Sequence, residues 1–305
     1  MLWYPPAWRE RYGDEFAAFL EDRLADRRPT LPFRASIAWA GLRERTHAAD
    51  LAGDAHSPAD GVKAGSLLVL VAFAVYAVAG AGFSKLSEQF DATVPAASRA
   101  LPWGAFRTVQ VVAVLAAAVV GVGAVVAIPA FRRLLHAGGW PAIRGHVRRA
   151  TVATLVVVVA TAGLVAWADS LSFAGRNGRD GGYALAFVVW GVLAATTLAL
   201  WTVAAVAIGR RLALSHSVLA TEAMLAAVLT AAMVSMTAAT AIWWAAMATD
   251  APWFLRGAVA GSSGSGFEPR LALTLVVMVG AVIAASYGTF RAARAWRSTP
   301  HRATG

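Results

Sequence analysis

Cysteine is absent from the 305-residue chain, which excludes disulfides and thiolate metal sites. Charge is scarce too: Asp, Glu, Lys and Arg make up 14% of residues, against roughly a quarter in ordinary soluble domains. Neither GxxxxGK[ST] nor HExxH occurs, so nucleotide hydrolysis and metalloprotease chemistry have no local signature. GxGxxG is likewise missing from any strand-to-helix context. The run AGSSGSGF at 260–267 departs from the GxSxG spacing of a serine nucleophile and reads as a flexible loop. No catalytic, cofactor-binding or metal-ligating set emerges. The six histidines, His47, His56, His136, His146, His216 and His301, are scattered, with no pair at ligand spacing on one helix.

What the chain has is apolar residues, 58% of the whole, and its long charge-poor stretches form six blocks at about 64–83, 108–131, 150–168, 184–208, 218–248 and 271–290. Each is long enough to cross a hydrocarbon core about 30 Å thick, which takes roughly 20 helical residues. In lipid the backbone must satisfy its own hydrogen bonds, so each block is expected to be a helix despite its valines. The expected fold is an all-α, polytopic membrane protein with six transmembrane helices spanning 64–290. Gly80, Gly82, Gly121 and Gly123 would let these helices approach closely.

Basic residues set the orientation. With the N-terminus in the cytoplasm, the inner segments 1–63, 132–149, 209–217 and 291–305 hold 20 of the 27 lysines and arginines, which places both termini inside. The last of these segments is a basic tail. Trp167, Trp243 and Trp244 fall at outer ends of spans, where amphipathic rings favour the interface. The opening residues lack the basic region and apolar core of a cleaved signal peptide. The net charge of +10 lies almost wholly on the inner side, as a topology signal or an attraction to anionic headgroups would leave it. Nucleic acid is therefore not an expected partner; the lipid bilayer is.

The first 52 residues are more polar. Residues 5–28 read PPAWRERYGDEFAAFLEDRLADRR, with Trp8, Tyr12, Phe16, Leu20 and Leu24 recurring every fourth position and Phe19 widening the stripe. This predicts an amphipathic helix. The pair Arg11 and Glu15 contributes only about 0.2 to 0.5 kcal/mol, so the apolar face needs something to pack against. Gly13, costly inside a helix, predicts close approach by a neighbouring backbone. Pro29 and Pro32 end the first helix, and PFRASIAWAGLRERTHAADLA continues as a second. The two make a cytoplasmic helical hairpin, 1–52, joined by a turn-rich linker, 53–63, to the first span. Trp8, Tyr12, Phe16, Phe19 and Leu20 are then either the hairpin's core, the favoured reading, or a docking face for a partner. Lying on the inner leaflet is disfavoured by the acidic polar face.

These residues also carry a resemblance. Tyr4-Pro5, Trp8-Arg9, Arg11-Tyr12-Gly13, Glu15-Phe16 and Leu20-Glu21-Asp22 form a YPxxWRxRYGxEF pattern. It resembles a short helical prefix on many uncharacterised bacterial multi-pass membrane proteins, and is similar to helical signalling domains associated with PadR-type repressors and to permease prefixes. The resemblance covers about residues 1–55. It implies a bacterial inner membrane and a regulatory or coupling role for the hairpin.

Glu222 is the sole acid within the six blocks, and an ionisable group in a span is a functional candidate because it is costly there. It sits near the start of the fifth block, with Arg210, Arg211 and His216 close in sequence as neutralising partners. Interfacial anchoring leads over proton or ion coupling. The functional expectation is a non-enzymatic regulatory or accessory protein whose hairpin contacts a cytoplasmic protein or another membrane subunit. A permease subunit or small transporter is the alternative, and an intramembrane enzyme the third.

Overall fold

The computed structural model describes residues 3–24, 29–48, 57–87, 100–172, 180–255 and 269–298. The described residues contain helices and no strand. In chain order these are α1 (Pro6–Leu24), α2 (Leu31–Ala48), α3 (Pro58–Leu86), α4 (Ala100–His136), α5 (Trp140–Ser170), α6 (Gly181–Gly209), α7 (His216–Asp250), the single turn α8 (Pro252–Leu255) and α9 (Pro269–Arg297). Starts follow the chemistry of helix termini. Ser57 Oγ accepts the Asp60 N–H at 3.2 Å and donates to the Asp60 carboxylate at 2.7 Å, closing the first turn of α3. Asp180 Oδ1 accepts the Tyr183 N–H at 3.0 Å and caps α6. Pro6, Pro32 and Pro141 occupy first turns, where the missing N–H costs nothing.

Six helices, α3 to α7 and α9, are long and apolar enough to cross a membrane, and the chain is a multi-pass integral membrane protein. Each overruns its apolar block. Residues 58–63 of the expected linker open α3, and 291–297 of the expected basic tail close α9. Arginine is a good helix former, so leaving the apolar region does not end a helix.

The bundle is built around α3, α7 and α9, which pack on one another; α4 lies on the outside of α7, and α6 joins α5 to α3. Seven-residue seams run along all three central helices. On α3 the seam is Val62, Gly65, Val69, Ala72, Tyr76, Ala79 and Phe83; on α9 it is Met278, Ala281, Ala285, Gly288 and Ala292. On α7 it runs Leu219, Ala226, Leu229, Met233, Met236, Thr240, Trp243 and Met247. A 3.5-residue repeat of this kind is the pattern of left-handed helix packing. Small residues bring α3 and α9 together: a Cβ on Gly288 would lie 2.7 Å from the Gly65 carbonyl oxygen, and one on Gly65 would collide with that of Gly288. Hydroxyls add directional links across the seams. Tyr76 pairs with Thr237 at 3.1 Å and Thr230 with Thr289 at 2.8 Å, contacts of the kind that join helices where water is excluded.

Two expectations are corrected. Gly80 and Gly121 have open space where a Cβ would go; they face outward, and Gly65 and Gly288 make the close crossing instead. Trp243 is no interfacial anchor. It is fully buried at an edge-to-face distance of 5.1 Å from Phe83, because α7 extends seven residues beyond it to Asp250 and the seam turns it inward. Trp167, by contrast, is exposed and lies edge-on to Tyr183 at 5.8 Å. The α5–α6 pair has its own stitching: Trp190 Nε1 donates to Thr161 Oγ1 and Trp201 Nε1 to Thr154 Oγ1, both at 2.8 Å.

Candidate functional site

Two places hold the candidate residues. The first is α1. Its rings form a continuous ladder that begins in the preceding turn: Tyr4 stacks on Trp8 at 4.0 Å and meets Phe16 at 5.2 Å, Trp8 meets Tyr12 and Phe16 at 5.5 Å, and Phe16 meets Phe19 at 6.2 Å. Spacing of three and four residues puts these side chains on one face. Arg11 lies over the Tyr12 ring and Arg23 over the Phe19 ring, at 5.2 Å and 5.9 Å from the centroids, consistent with cation–π contact.

The ladder is assembled but not covered. No residue of α1 is buried; Tyr12 is 38% and Phe19 50% exposed, while Trp8, Phe16 and Leu20 are half-buried. On α2, Leu31 and Trp39 are 80% and 70% exposed. The turn before α1, rather than α1 itself, makes the close approach to α2. A Cβ on Gly41 would come within 2.6 Å of Trp3 Cβ and 2.9 Å of the Trp3 carbonyl carbon, and Tyr4 is buried beside it. Burial raises the Tyr4 phenol above its ordinary value, and the carboxylate of Glu44 on α2 raises it further. The close backbone approach expected at Gly13 is not there, since nothing lies within 4 Å of a Cβ built on it. It is at Gly41.

The second place is the N-terminal half of α7. Glu222 falls between Leu219 and Ala226 on the heptad seam, six residues from the helix start and so about 9 Å along its axis. It is half-buried against α4, where a Cβ on Gly123 would lie 3.5 Å and 3.7 Å from its two carboxylate oxygens. Glycine at 123 leaves room for the carboxylate beside the α4 backbone. Two of the expected cations are engaged elsewhere. Arg211 donates from Nη1 to the Ala207 carbonyl at 2.8 Å, and the His216 ring packs on Trp296 of α9 at 4.2 Å. Among the described residues no ion pair reaches Glu222, and that between Lys63 and Asp60 is at 3.8 Å. The geometric reason is direction: Arg210 and Arg211 precede α7 in the turn after α6, whereas Glu222 points across to α4.

Sequence reasoning did not single out Gly123 as the neighbour of Glu222, or the hydroxyls of Tyr76, Thr230, Thr237 and Thr289. The available signal was a hydroxyl within an otherwise apolar block. The expected loop serines of 260–267, His56 and His301 lie outside the described residues. An apolar groove between α5 and α6, lined by Leu164, Trp167, Leu185, Val189, Trp190 and Leu193 among others, carries no titratable group. No family model, curated protein or solved structure matches the chain.

Proposed function

We propose that this multi-pass membrane protein is a non-enzymatic regulatory or accessory component, and that the aromatic face of α1 docks a cytoplasmic protein. The observation that carries the reading is a preassembled ladder of rings on a helix that buries none of its own residues. Rigid aromatic side chains give large contact area at low entropic cost, the property of binding hot spots. The charge of α1 selects among partners. With five carboxylates, Glu10, Asp14, Glu15, Glu21 and Asp22, against Arg9, Arg11 and Arg23, it is repelled by an anionic leaflet and suits a protein groove with a basic rim. The resemblance of this segment to prefixes of signalling and permease proteins agrees with such a role.

Both termini are assigned to the cytoplasm on the distribution of basic residues, and the bacterial inner membrane is what the resemblance of the first 55 residues implies. Reporter fusions after residues 60, 140, 213 and 298 are expected to report the cytoplasm, and fusions near 92, 177 and 260 the outside; an outside signal at 140 would overturn the orientation. The docking reading is tested by Tyr12→Ala combined with Phe19→Ala in the full chain. The exposed rings are expected to be dispensable for protease resistance of the hairpin but needed for a partner to co-purify stoichiometrically. Loss of resistance without loss of the partner would return these rings to a core role.

A second reading, a permease subunit or small transporter, is favoured by Glu222. A carboxylate on the seam of the central helix, rather than on its solvent side, is where a coupling group would act. Substrate-dependent flux in proteoliposomes that Glu222→Gln abolishes, with the fold intact, would establish it.

A further inference from the structure

At one end of the bundle the α4–α5 connection meets the α6–α7 connection through Arg133 and Ala213, and arginines are concentrated there. The α4–α5 connection is the tightest part. Ala137 N–H donates to the Arg133 carbonyl at 3.0 Å, Gly138 to Leu135 at 3.0 Å and Gly139 to Leu134 at 2.9 Å, and Gly138 takes φ 76° to make the turn, a closure that favours glycine. Arg132 and Arg133 lie in the last turns of α4, and Arg144, Arg148 and Arg149 fall within the first ten residues of α5. Arg133 Nη2 also reaches the Ala213 carbonyl at 3.4 Å, tying in the α6–α7 turn that bears Arg211. All six are exposed, and segment 132–149 has no carboxylate.

Their depth is fixed by the sequence on either side. The uncharged run of α4 ends directly before Arg132, and that of α5 begins directly after Arg149. These guanidinium groups therefore sit where the hydrocarbon stops and headgroup phosphates begin. Arg144 and Arg148, one turn apart, share a face and can flank one phosphate. Trp140, 46% exposed at the start of α5, is placed for the same interfacial layer.

We infer that this arginine cluster is a binding surface for anionic phospholipid of the adjoining leaflet, with Arg144, Arg148 and Arg149 as its principal phosphate contacts. Orientation needs only an excess of positive charge in the segment; the inference adds a preference for lipids of negative headgroup. From the attraction of single basic residues to anionic surfaces, three arginines together strengthen binding on the order of 100-fold.

The experiment is native mass spectrometry of the purified full chain in neutral detergent, offered phosphatidylglycerol and phosphatidylcholine with the same acyl chains in equal amounts. The parent is expected to retain phosphatidylglycerol in preference. The triple replacement Arg144→Gln, Arg148→Gln, Arg149→Gln is expected to lose that preference while circular dichroism stays helical, and the triple lysine replacement to keep most of it. Equal retention of both lipids by the parent, or an unchanged preference in the glutamine variant, would overturn the inference. So would displacement of the lipid by inorganic phosphate, which would indicate a site for free anions. If the glutamine variant does not fold, charge reversal at Arg148 alone, Arg148→Glu, is read instead: an undiminished preference refutes the assignment.

Discussion

Gly65→Ala puts the packing of α3 on α9 to a test in which two effects oppose each other. Alanine in place of a helical glycine gains up to about 1 kcal/mol of helix propensity. At Gly65, however, the new Cβ would meet backbone: the Gly288 carbonyl oxygen, and the Ala292 nitrogen at 2.8 Å, with the Ala292 Cβ also at 2.8 Å. Ordinary contact begins near 3.4 Å, so the helices must separate by about 0.6 Å or more, and no side-chain rotation relieves the overlap. A gap of 0.5 to 1 Å forfeits roughly a quarter to a half of the dispersion energy of the atoms concerned, and overpacking of a tight core costs about 1 to 3 kcal/mol. The clash is expected to win, for a net loss of about 1 to 2 kcal/mol. Gly80→Ala is the control, because nothing lies within 4 Å of its Cβ; it is expected to be neutral or stabilising. The assay is thermal unfolding of both variants in the same detergent. The cysteine-free chain also permits an added cysteine pair across α3 and α9 to report the separation through its cross-linking rate. If Gly65→Ala is as stable as the parent, or moves in the same direction as Gly80→Ala, the crossing described here is wrong.

Three further outcomes follow from named contacts. Glu222→Gln is expected to leave the melting temperature unchanged or raise it, since a half-buried carboxylate without an ion-pair partner among the described residues loses only its charge; a fall of several degrees would reveal a cation partner. Trp190→Phe with Trp201→Phe removes both Trp–Thr bonds between α5 and α6, at a cost of about 0.6 kcal/mol each, and hydrogen exchange should rise in those two helices and not in α7. Equal exchange throughout would contradict a separately stitched pair. Tyr4 carries a pH dependence. Because its folded value is raised above 10.0, the contact with α2 contributes stability that is complete below pH 10 and lost as pH rises through the folded value. Alkaline titration should therefore release the turn at Trp3 from Gly41 in the parent, while Tyr4→Phe should shed this alkaline limb; an identical titration in both would refute it.

The helices were legible because lipid imposes a length and composition on each span, and the six apolar blocks lie inside the six long helices. What the blocks could not show is which side of each helix faces the others. On α7 the exposed Val228, Val234 and Ile242 are as apolar as the buried Leu229, Met233 and Met236, so no periodicity separates seam from lipid face. The same symmetry hid the roles of glycine. Gly65 and Gly80 look alike in the sequence, and only the position of α9 distinguishes a crossing point from an open surface. Glu222 was visible as an isolated acid, but its neighbour was not, because Gly123 lies on another helix and has no side chain to announce a site. In α1 the four-residue recurrence of rings revealed the ladder, yet not that Tyr4 would extend it from the turn or that Gly41 would receive that turn.

The docking role of α1 is tested most directly by a photo-reactive amino acid placed at Phe19 in the full chain and activated in intact cells. A discrete adduct with one protein, reproduced from Tyr12 and absent from the lipid-exposed position Val159 of α5, is the result expected if the aromatic face is a docking surface. Adducts confined to lipid, or to α2 of the same chain, would contradict it.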